Sequence, residues 1–365
     1  MIYHIYWGTS GNSGLYMDEI YQTLKENGFF QRVFVNYYYP FKYGDKIFFR
    51  RGDIAHSKYT ETKRKIFQLM EVLKGYVQIL FYSIRDRPEL INYSHVGQSY
   101  FFIPAYLKLL KKVSGAKLLI TCHDVCPHNN PKSEMKNRRK IFHAADNLLI
   151  HNENSAKELG DIFKIHGNII VRHIFPIMDL SKLSEDTENP YMPTDFLFIG
   201  HLRKDKGIEF LLKTWEEFHK VNKDAKLRIC GKCQPNIQFN QSELEKSNVE
   251  FNLHFISDED YYYYVKTARH VILPYLQGSN SGIISTVLSL GTDVITSDIP
   301  MFAENPLVSK EDMFESGNSQ SLMDILCKKW LDKNEGKTLN KLEQYRKKFK
   351  NEVLYVYSNL APKSR

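Results

Sequence analysis

Short apolar runs rich in Val, Ile, Phe and Tyr recur along the chain, and between them apolar residues return at every third or fourth position. The first pattern fits buried strands and the second fits helices with one apolar face. Strands are expected at Tyr3–Trp7, Arg32–Tyr39, Glu89–Tyr93, Ala116–Thr121, Asn147–Asn152 and Asn168–Phe175. Helices are expected up to Asn27, over Thr60–Ile84, around 101–112, over Met135–His143 and over Asn154–Phe163. Pro176–Thr194 has no clear period and carries Pro190 and Pro193, so it reads as a linker. A second series follows, with strands at Phe196–Gly200, Leu227–Cys230, Val249–Ile256, His270–Tyr275 and around Val294. Its helices fall at Gly207–Lys220, Ser242–Lys246, Asp258–Lys266 and Gly282–Leu290. Asn318–Leu331 and Leu339–Asn359 read as closing helices. Alternation of this kind predicts a doubly wound parallel α/β sheet, here twice.

Three strand exits have the composition of anion sites. The stretch Ala268–Glu304 runs from a strand through the polar turn Gln277–Ser281 into a short helix, which Gly291 stops, and then into a second strand. The N–H groups of Asn280, Ser281 and Gly282 would lie unpaired at that helix start, and Gly282 has no Cβ to hold a phosphate off. An ordinary strand-to-helix turn has the same pattern. After the first strand come Gly8, Gly11 and Gly14, whose spacing is not the dinucleotide fingerprint and fits a tight turn equally well. The third exit is Gly200, followed by Arg203, Lys206 and Gly207. An arginine fork and a lysine point charge there could neutralise a diphosphate as its charge develops; the bland alternative is a solvated basic turn. A further strand delivers Cys122-His123-Asp124 to its carboxyl end, the ligand side of open α/β sheets. His123 could hydrogen-bond a substrate or move a proton, or simply be satisfied by Asp124.

Pro274-Tyr275, Ser281-Gly282, Gly291 and Ser297-Asp298, in that order, resemble the donor-nucleotide segment of the retaining GT-B glycosyltransferases of the GT4-like group. Gly200, Arg203, Lys206 and Gly207 match the same family's basic turn, with Arg203 taking the role that some relatives give to the place held here by His201. The resemblance implies two Rossmann-like domains facing each other across a cleft. Residues 1–175 would be the acceptor domain, 176–194 the linker, 195–335 the nucleotide-sugar domain, and 336–365 a closing helix that crosses back. It implies transfer of a sugar from a nucleotide-diphosphate donor to a glycan or lipid-linked acceptor in cell-surface polysaccharide synthesis. His123, Arg203 and Lys206 would be catalytic; Gly11, Gly14, Gly200, Asn280, Ser281, Gly282, Thr286 and Glu304 would meet the donor. It further implies no covalent carboxylate, no essential metal and no cofactor beyond the nucleotide sugar, with the leaving phosphate oxygen taking the acceptor proton.

One departure matters. Many relatives carry two glutamates eight residues apart, at places held here by Gly278 and Thr286. A Ser-Gly subgroup also lacks them, and Gln277, Asn280 or Thr286 could substitute in part. The departure keeps two other readings open: a non-catalytic GT-B subunit that binds a partner transferase, and a nucleotide-sugar epimerase. The base and the sugar are unreadable.

Composition adds constraints. The 365 residues exceed the roughly 250–300 that one core usually serves, and 42% hydrophobic and 13% aromatic residues suffice to fill two. A net charge of +8 suits anionic partners: phosphates, an anionic membrane face or, with no motif to support it, nucleic acid. Five cysteines argue against a disulfide framework. Cys230 and Cys233 have a metal or redox spacing, but a strand end with its turn glycine explains them better. No apolar run reaches the ~18 residues of a membrane span, and the opening lacks signal-peptide design, which predicts a cytoplasmic protein. Two basic, aromatic stretches offer a peripheral contact with the inner membrane face: Phe41–Lys65, and the helix bearing Phe101, Phe102, Leu107 and Leu110 beside Lys108, Lys111 and Lys112. The competing reading of that helix is a core helix with snorkelling lysines.

Overall fold

A computed structural model describes residues 1–8, 12–54, 56–95, 100–126, 132–166, 170–172, 190–278, 282–332 and 339–361. The chain forms two compact units, Met1–Pro176 with Lys347–Arg365, and Ile177–Arg346.

In order, the first unit runs β1 (Ile2–Ile5), α1 (Asn12–Glu26), β2 (Gln31–Asn36), β3 (Asp45–Phe48), α2 (Glu61–Asp86), β4 (Leu90–His95) and α3 (Ile103–Ser114). It continues with β5 (Lys117–Cys122), α4 (Lys132–Phe142), β6 (Asn147–Ile150), α5 (Glu153–Phe163) and β7 (Ile170–Arg172). Its sheet is parallel in the order β3-β2-β1-β4-β5-β6-β7. The order reverses between β1 and β4, which is where such sheets open a crevice at their carboxyl ends.

Alternation along β1 builds two cores. Tyr3 and Ile5 enter one cluster with Phe34, Val72, Ile79 and Leu107, while Ile2 and Tyr6 enter another with Ile20, Leu24 and Val33. The second cluster is completed from the far end of the chain by Phe349, Val353 and Tyr357. A buried polar line fixes that docking. Asn92 Nδ2 donates to the Tyr357 hydroxyl at 2.8 Å and to His4 Nδ1 at 3.3 Å, and Thr121 Oγ1 donates to Asn92 Oδ1 at 2.8 Å. His4 Nε2 lies 3.1 Å from Gln31 Oε1. Burial pushes the His4 imidazole down to about 4.

Two findings differ from the sequence expectation, and one favours the core reading of a helix for which the sequence allows two. The stretch 41–65 holds an edge strand, β3, that was not expected, because four residues with two apolar side chains are too short to stand out. Phe48 and Phe49 are buried, so this stretch does not present them to a membrane. Gly75 permits the close approach, since a Cβ there would lie 2.5 Å from the Phe48 ring. Next, α3 buries Ile103, Leu107 and Leu110, as a core helix does. Finally, Arg138, expected on an exposed basic helix face, is buried. It pairs with Glu134 at 2.8 Å and donates from Nη1 to the Asp124 and Val125 carbonyls at 2.6 and 3.1 Å.

The second unit begins with β8 (Thr194–Ile199), α6 (Ile208–Val221), β9 (Leu227–Cys230), α7 (Gln241–Glu245), β10 (Val249–Asn252) and α8 (Asp258–Lys266). It continues with β11 (Ala268–Leu273), α9 (Ile283–Ser289), β12 (Asp293–Ser297), α10 (Pro300–Ala303), β13 (Met313–Phe314) and α11 (Ser319–Leu331). A last helix, α12 (Leu339–Leu360), carries the chain into the first unit. The second sheet is parallel in the order β10-β9-β8-β11-β12-β13, again with a reversal, here between β8 and β11. Trp215, Phe196, Leu227, Ile272, Ile295 and Leu326 are among its core residues, and the Trp215 indole N–H reaches the Ser247 carbonyl at 2.8 Å. The two-residue β13 was also not expected. Of the expected linker, residues 176–189 lie outside the described residues, as do 173–175 of the strand expected before it.

Candidate functional site

The reversal point of the second sheet brings two loops into contact. The chain leaves β8 at Gly200 with φ +132°, passes extended Arg203, makes one 3₁₀ turn at Lys204–Lys206, and enters α6 through Gly207 with φ +68°. Only glycine fits position 207, because a Cβ would stand 1.8 Å from the Pro274 carbonyl oxygen at the exit of β11. From the other side the Asp205 carbonyl accepts the Leu276 N–H at 2.9 Å and the Gln277 N–H at 3.3 Å. The basic turn is therefore clamped to the β11 exit.

Arg203 and Lys206 are held rather than loose. The Arg203 guanidinium donates from Nη2 to Asp205 Oδ2 at 2.6 Å, and its buried Nε has no hydrogen-bond partner among the described residues. Lys206 Nζ sits 3.5 Å from the centroid of the Tyr275 ring, a cation–π distance that keeps the ammonium over the β11 loop. Tyr275 is in turn fixed: its ring lies 5.2 Å from Phe302, and its carbonyl accepts from Ser297 Oγ at 2.6 Å and Ser316 Oγ at 3.4 Å. Asp298 Oδ1 accepts the Ser316 N–H at 2.8 Å. The Ser297-Asp298 pair thus braces the loop from behind.

Gly200, Arg203, Lys206 and Gly207 are therefore brought together with Pro274-Tyr275 on one sheet edge. Gly282 opens α9, and Gly291, with φ +78°, ends it. Gly11, Asn280 and Ser281 lie outside the described residues. Thr286 is buried, and its hydroxyl donates to the Gly282 carbonyl at 3.0 Å, so it bonds its own helix. Gly278 sits under α10, where a Cβ would lie 2.8 Å from Met301 Sδ. Glu304 follows α10 and is exposed. Gly231, with φ +136°, backs Gly200 so closely that a Cβ would stand 1.9 Å from the Gly200 carbonyl oxygen. Cys230, at the end of β9, is buried, and burial pushes its thiol up to about 12.

In the first unit His123 follows β5, as expected, and is half-buried. A second histidine was missed. His151 follows β6, and its Nε2 lies 3.1 Å from His123 Nδ1, with the rings 11° from parallel. The buried Tyr16 of α1 meets both imidazoles edge-on, at 4.9 and 5.2 Å between centroids. Ser94 Oγ lies 3.4 Å from His123 Nε2. Arg138, also missed, anchors the carbonyls that follow His123 and so positions the loop. The signal for His151 was its place at a strand end; a buried arginine leaves no such mark. Gly14 lies within α1, where a Cβ would meet, among the described residues, the Tyr6 hydroxyl at 3.5 Å.

Two parallel α/β units with these strand orders define a GT-B-type architecture, and comparison with known proteins agrees. Residues 193–329 match the family model described as "Glycosyl transferases group 1". A glycosyltransferase from Rickettsia africae is similar in structure at a TM-score of 0.67 and 15% identity, covering 100% of this chain and 99% of that one. Sucrose-phosphate synthase from Thermosynechococcus elongatus gives 0.62 and 13%, covering 99% and 96%. Anabaena HepE in complex with UDP-glucose gives 0.62 and 12%, covering 98% of each chain. No curated protein matches by sequence.

Proposed function

We propose that this chain is a retaining glycosyltransferase. It takes a sugar from a nucleotide-diphosphate donor held by the second unit to a glycan or lipid-linked acceptor in cell-surface polysaccharide synthesis. The observation that carries the reading is the clamp at the β8–β11 reversal, where Gly207 and the Asp205 carbonyl lock a turn bearing Arg203 and Lys206. Fixed cations stabilise developing charge with little reorganisation, which is where such stabilisation is strongest. As the sugar–phosphate bond breaks, Arg203 and Lys206 would take the charge of the departing diphosphate. A phosphate oxygen of that group would accept the proton of the attacking hydroxyl on the same face of the sugar. His123, supported by His151 and Ser94, would hydrogen-bond the sugar or carry a proton. The reading needs no metal ion. The match over residues 193–329 and the UDP-glucose bound by the Anabaena protein support a nucleotide sugar as ligand.

A second reading rests on Gly278 and Thr286. If the family's paired glutamates are required for turnover, the chain is a binding subunit of a partner transferase. A thermal-shift screen of nucleoside diphosphates and their sugars, followed by a donor-hydrolysis assay, tests both, since a ligand that binds the native state raises stability. The enzyme reading expects a shift and hydrolysis, both reduced in Arg203→Ala and Lys206→Ala. A shift without hydrolysis or transfer supports the subunit reading, and no shift with any nucleotide sinks both.

A further inference from the structure

The helix α2 has two apolar faces, and only one is used. Val72, Tyr76 and Ile79 face the core. About a third of a turn away run Ile66, Met70, Leu73, Val77, Phe81 and Ile84, all exposed, with Val77 at 67% and Phe81 at 62%. They recur at three- and four-residue steps, so they form one continuous stripe along a 26-residue helix, about 39 Å long at 1.5 Å per residue. A stripe of this length is not the scattered apolar exposure found on any surface. The packed neighbour α3, whose Tyr106 hydroxyl donates to the Tyr76 carbonyl at 2.9 Å, adds exposed Leu109 beside exposed Lys108 and Lys112, and exposed Phe101 lies in the turn before it.

One edge of the stripe is a basic pocket. Lys74 and Gln78 lie one helical turn from Met70, Val77 and Phe81, and they line a cavity of about 440 Å³ with Tyr37, Lys46, Arg50 and Arg51. Its single carboxylate, Glu71, is committed: it accepts from Arg51 N and Nε at 3.0–3.1 Å and from Gly52 N at 3.1 Å. Arg50 stands over the Tyr37 ring at 5.2 Å. Lys46, Arg50 and Lys74 have no carboxylate partner among the described residues. Within α2, Glu61 pairs with Lys65 and Asp86 with Arg32 and Arg85, so no free acid borders the stripe.

We propose that the outer face of α2 docks on an anionic phospholipid bilayer. The stripe enters the interface and a headgroup phosphate enters the pocket formed by Lys46, Arg50, Arg51 and Lys74. The charge selects the occupant. A second copy of this chain, packed stripe to stripe, would bring like charges together with no carboxylate to meet them. A bilayer carrying anionic lipid complements both the apolar stripe and its basic border. The placement differs from that suggested by the sequence, whose candidates Phe48, Phe49, Leu107 and Leu110 are buried. The proposal stands apart from the donor site, and its failure would leave that reading untouched.

The test is flotation of the full chain with phosphatidylcholine vesicles, alone or mixed with phosphatidylglycerol. Binding is expected only with phosphatidylglycerol, falling about tenfold as salt rises. Val77→Asp with Phe81→Asp should abolish it. Lys46→Gln with Lys74→Gln should weaken it about tenfold while leaving the stripe intact. All four positions are exposed, and circular dichroism checks that each variant folds; should the aspartate pair unfold, the glutamine pair decides. Equal binding to neutral vesicles, or none to either, overturns the proposal. So does a melting shift with inorganic phosphate that needs Lys46 and Lys74 in a chain that ignores vesicles, which marks a soluble-anion site. Light scattering that finds a dimer broken by Val77→Asp, without vesicle binding, assigns the stripe to a second copy instead.

Discussion

The two sheets share a strand order over six strands but carry different chemistry at different strand exits. Where the second sheet reverses, two glycines at positive φ and a basic turn leave the backbone bare and the charge positive. In the first, the ends of β5 and β6 carry a tyrosine-backed histidine pair. The outer faces differ as well. Large exposed apolar residues in the second unit are scattered, at Met192, Val221, Phe255, Leu276 and Leu331, whereas α2 of the first unit aligns them in a row. Topology sets where a ligand can sit, and the loops decide which ligand; the donor site we propose lies on one twin and the membrane face we propose on the other.

The sharpest way to break this contrast is at a glycine. Gly207→Ala should destabilise the second unit by about 3 kcal/mol and remove nucleotide binding, because φ +68° and the Pro274 carbonyl both oppose a Cβ. Gly14→Ala in the first unit meets an ordinary contact among the described residues and should be nearly neutral by chemical denaturation. Acid probes both units at once. His4 and His270 are each pushed down to about 4, His4 by burial and His270 by burial with Lys329 and Arg269 nearby. Unfolded, each binds a proton near 6.5, so between about 6.5 and 4 the unfolded chain holds more protons. Stability should therefore be full above pH 6.5 and fall as pH drops towards 4, by up to about 3 kcal/mol per histidine. Urea midpoints across that range check the sign, and His270→Phe should flatten the slope of the second unit alone.

Arg203→Ala should lower sugar transfer about 100-fold with little change in melting temperature, since the clamp runs through backbone atoms and Gly207. Tyr357→Phe should cost about 1 kcal/mol by removing the acceptor for Asn92 Nδ2, measured by denaturant unfolding. The smallest effect is expected at Thr286, whose hydroxyl bonds its own helix: Thr286→Val should leave nucleotide affinity within about twofold. A tenfold loss by titration calorimetry would return Thr286 to the donor site.

Much of the fold was legible because period and punctuation agreed. Gly200, Gly207 and Gly291 mark turns whose positive φ only glycine adopts readily, and the strand runs between them are too apolar to be anything else. Two kinds of feature escaped. Short edge strands such as β3 and β13 give no period of their own. On α2 the apolar residues read as helical, but hydrophobicity cannot tell Val72, Tyr76 and Ile79, which pack, from Met70, Val77 and Phe81, which do not. Of the candidate site, the glycines and cations were readable as types at a spacing. The His123–His151 pair and the buried Arg138 were not, because they depend on which strands become neighbours.

The most direct test is calorimetric titration of nucleoside diphosphates into the wild-type chain and into Arg203→Ala and Lys206→Ala. Saturable binding of at least one diphosphate, weakened tenfold or more in each variant while both stay folded, is the predicted result. Wild-type protein that binds none of them, or variants that bind as tightly as wild type, would contradict the claim that this sheet edge holds a pyrophosphate.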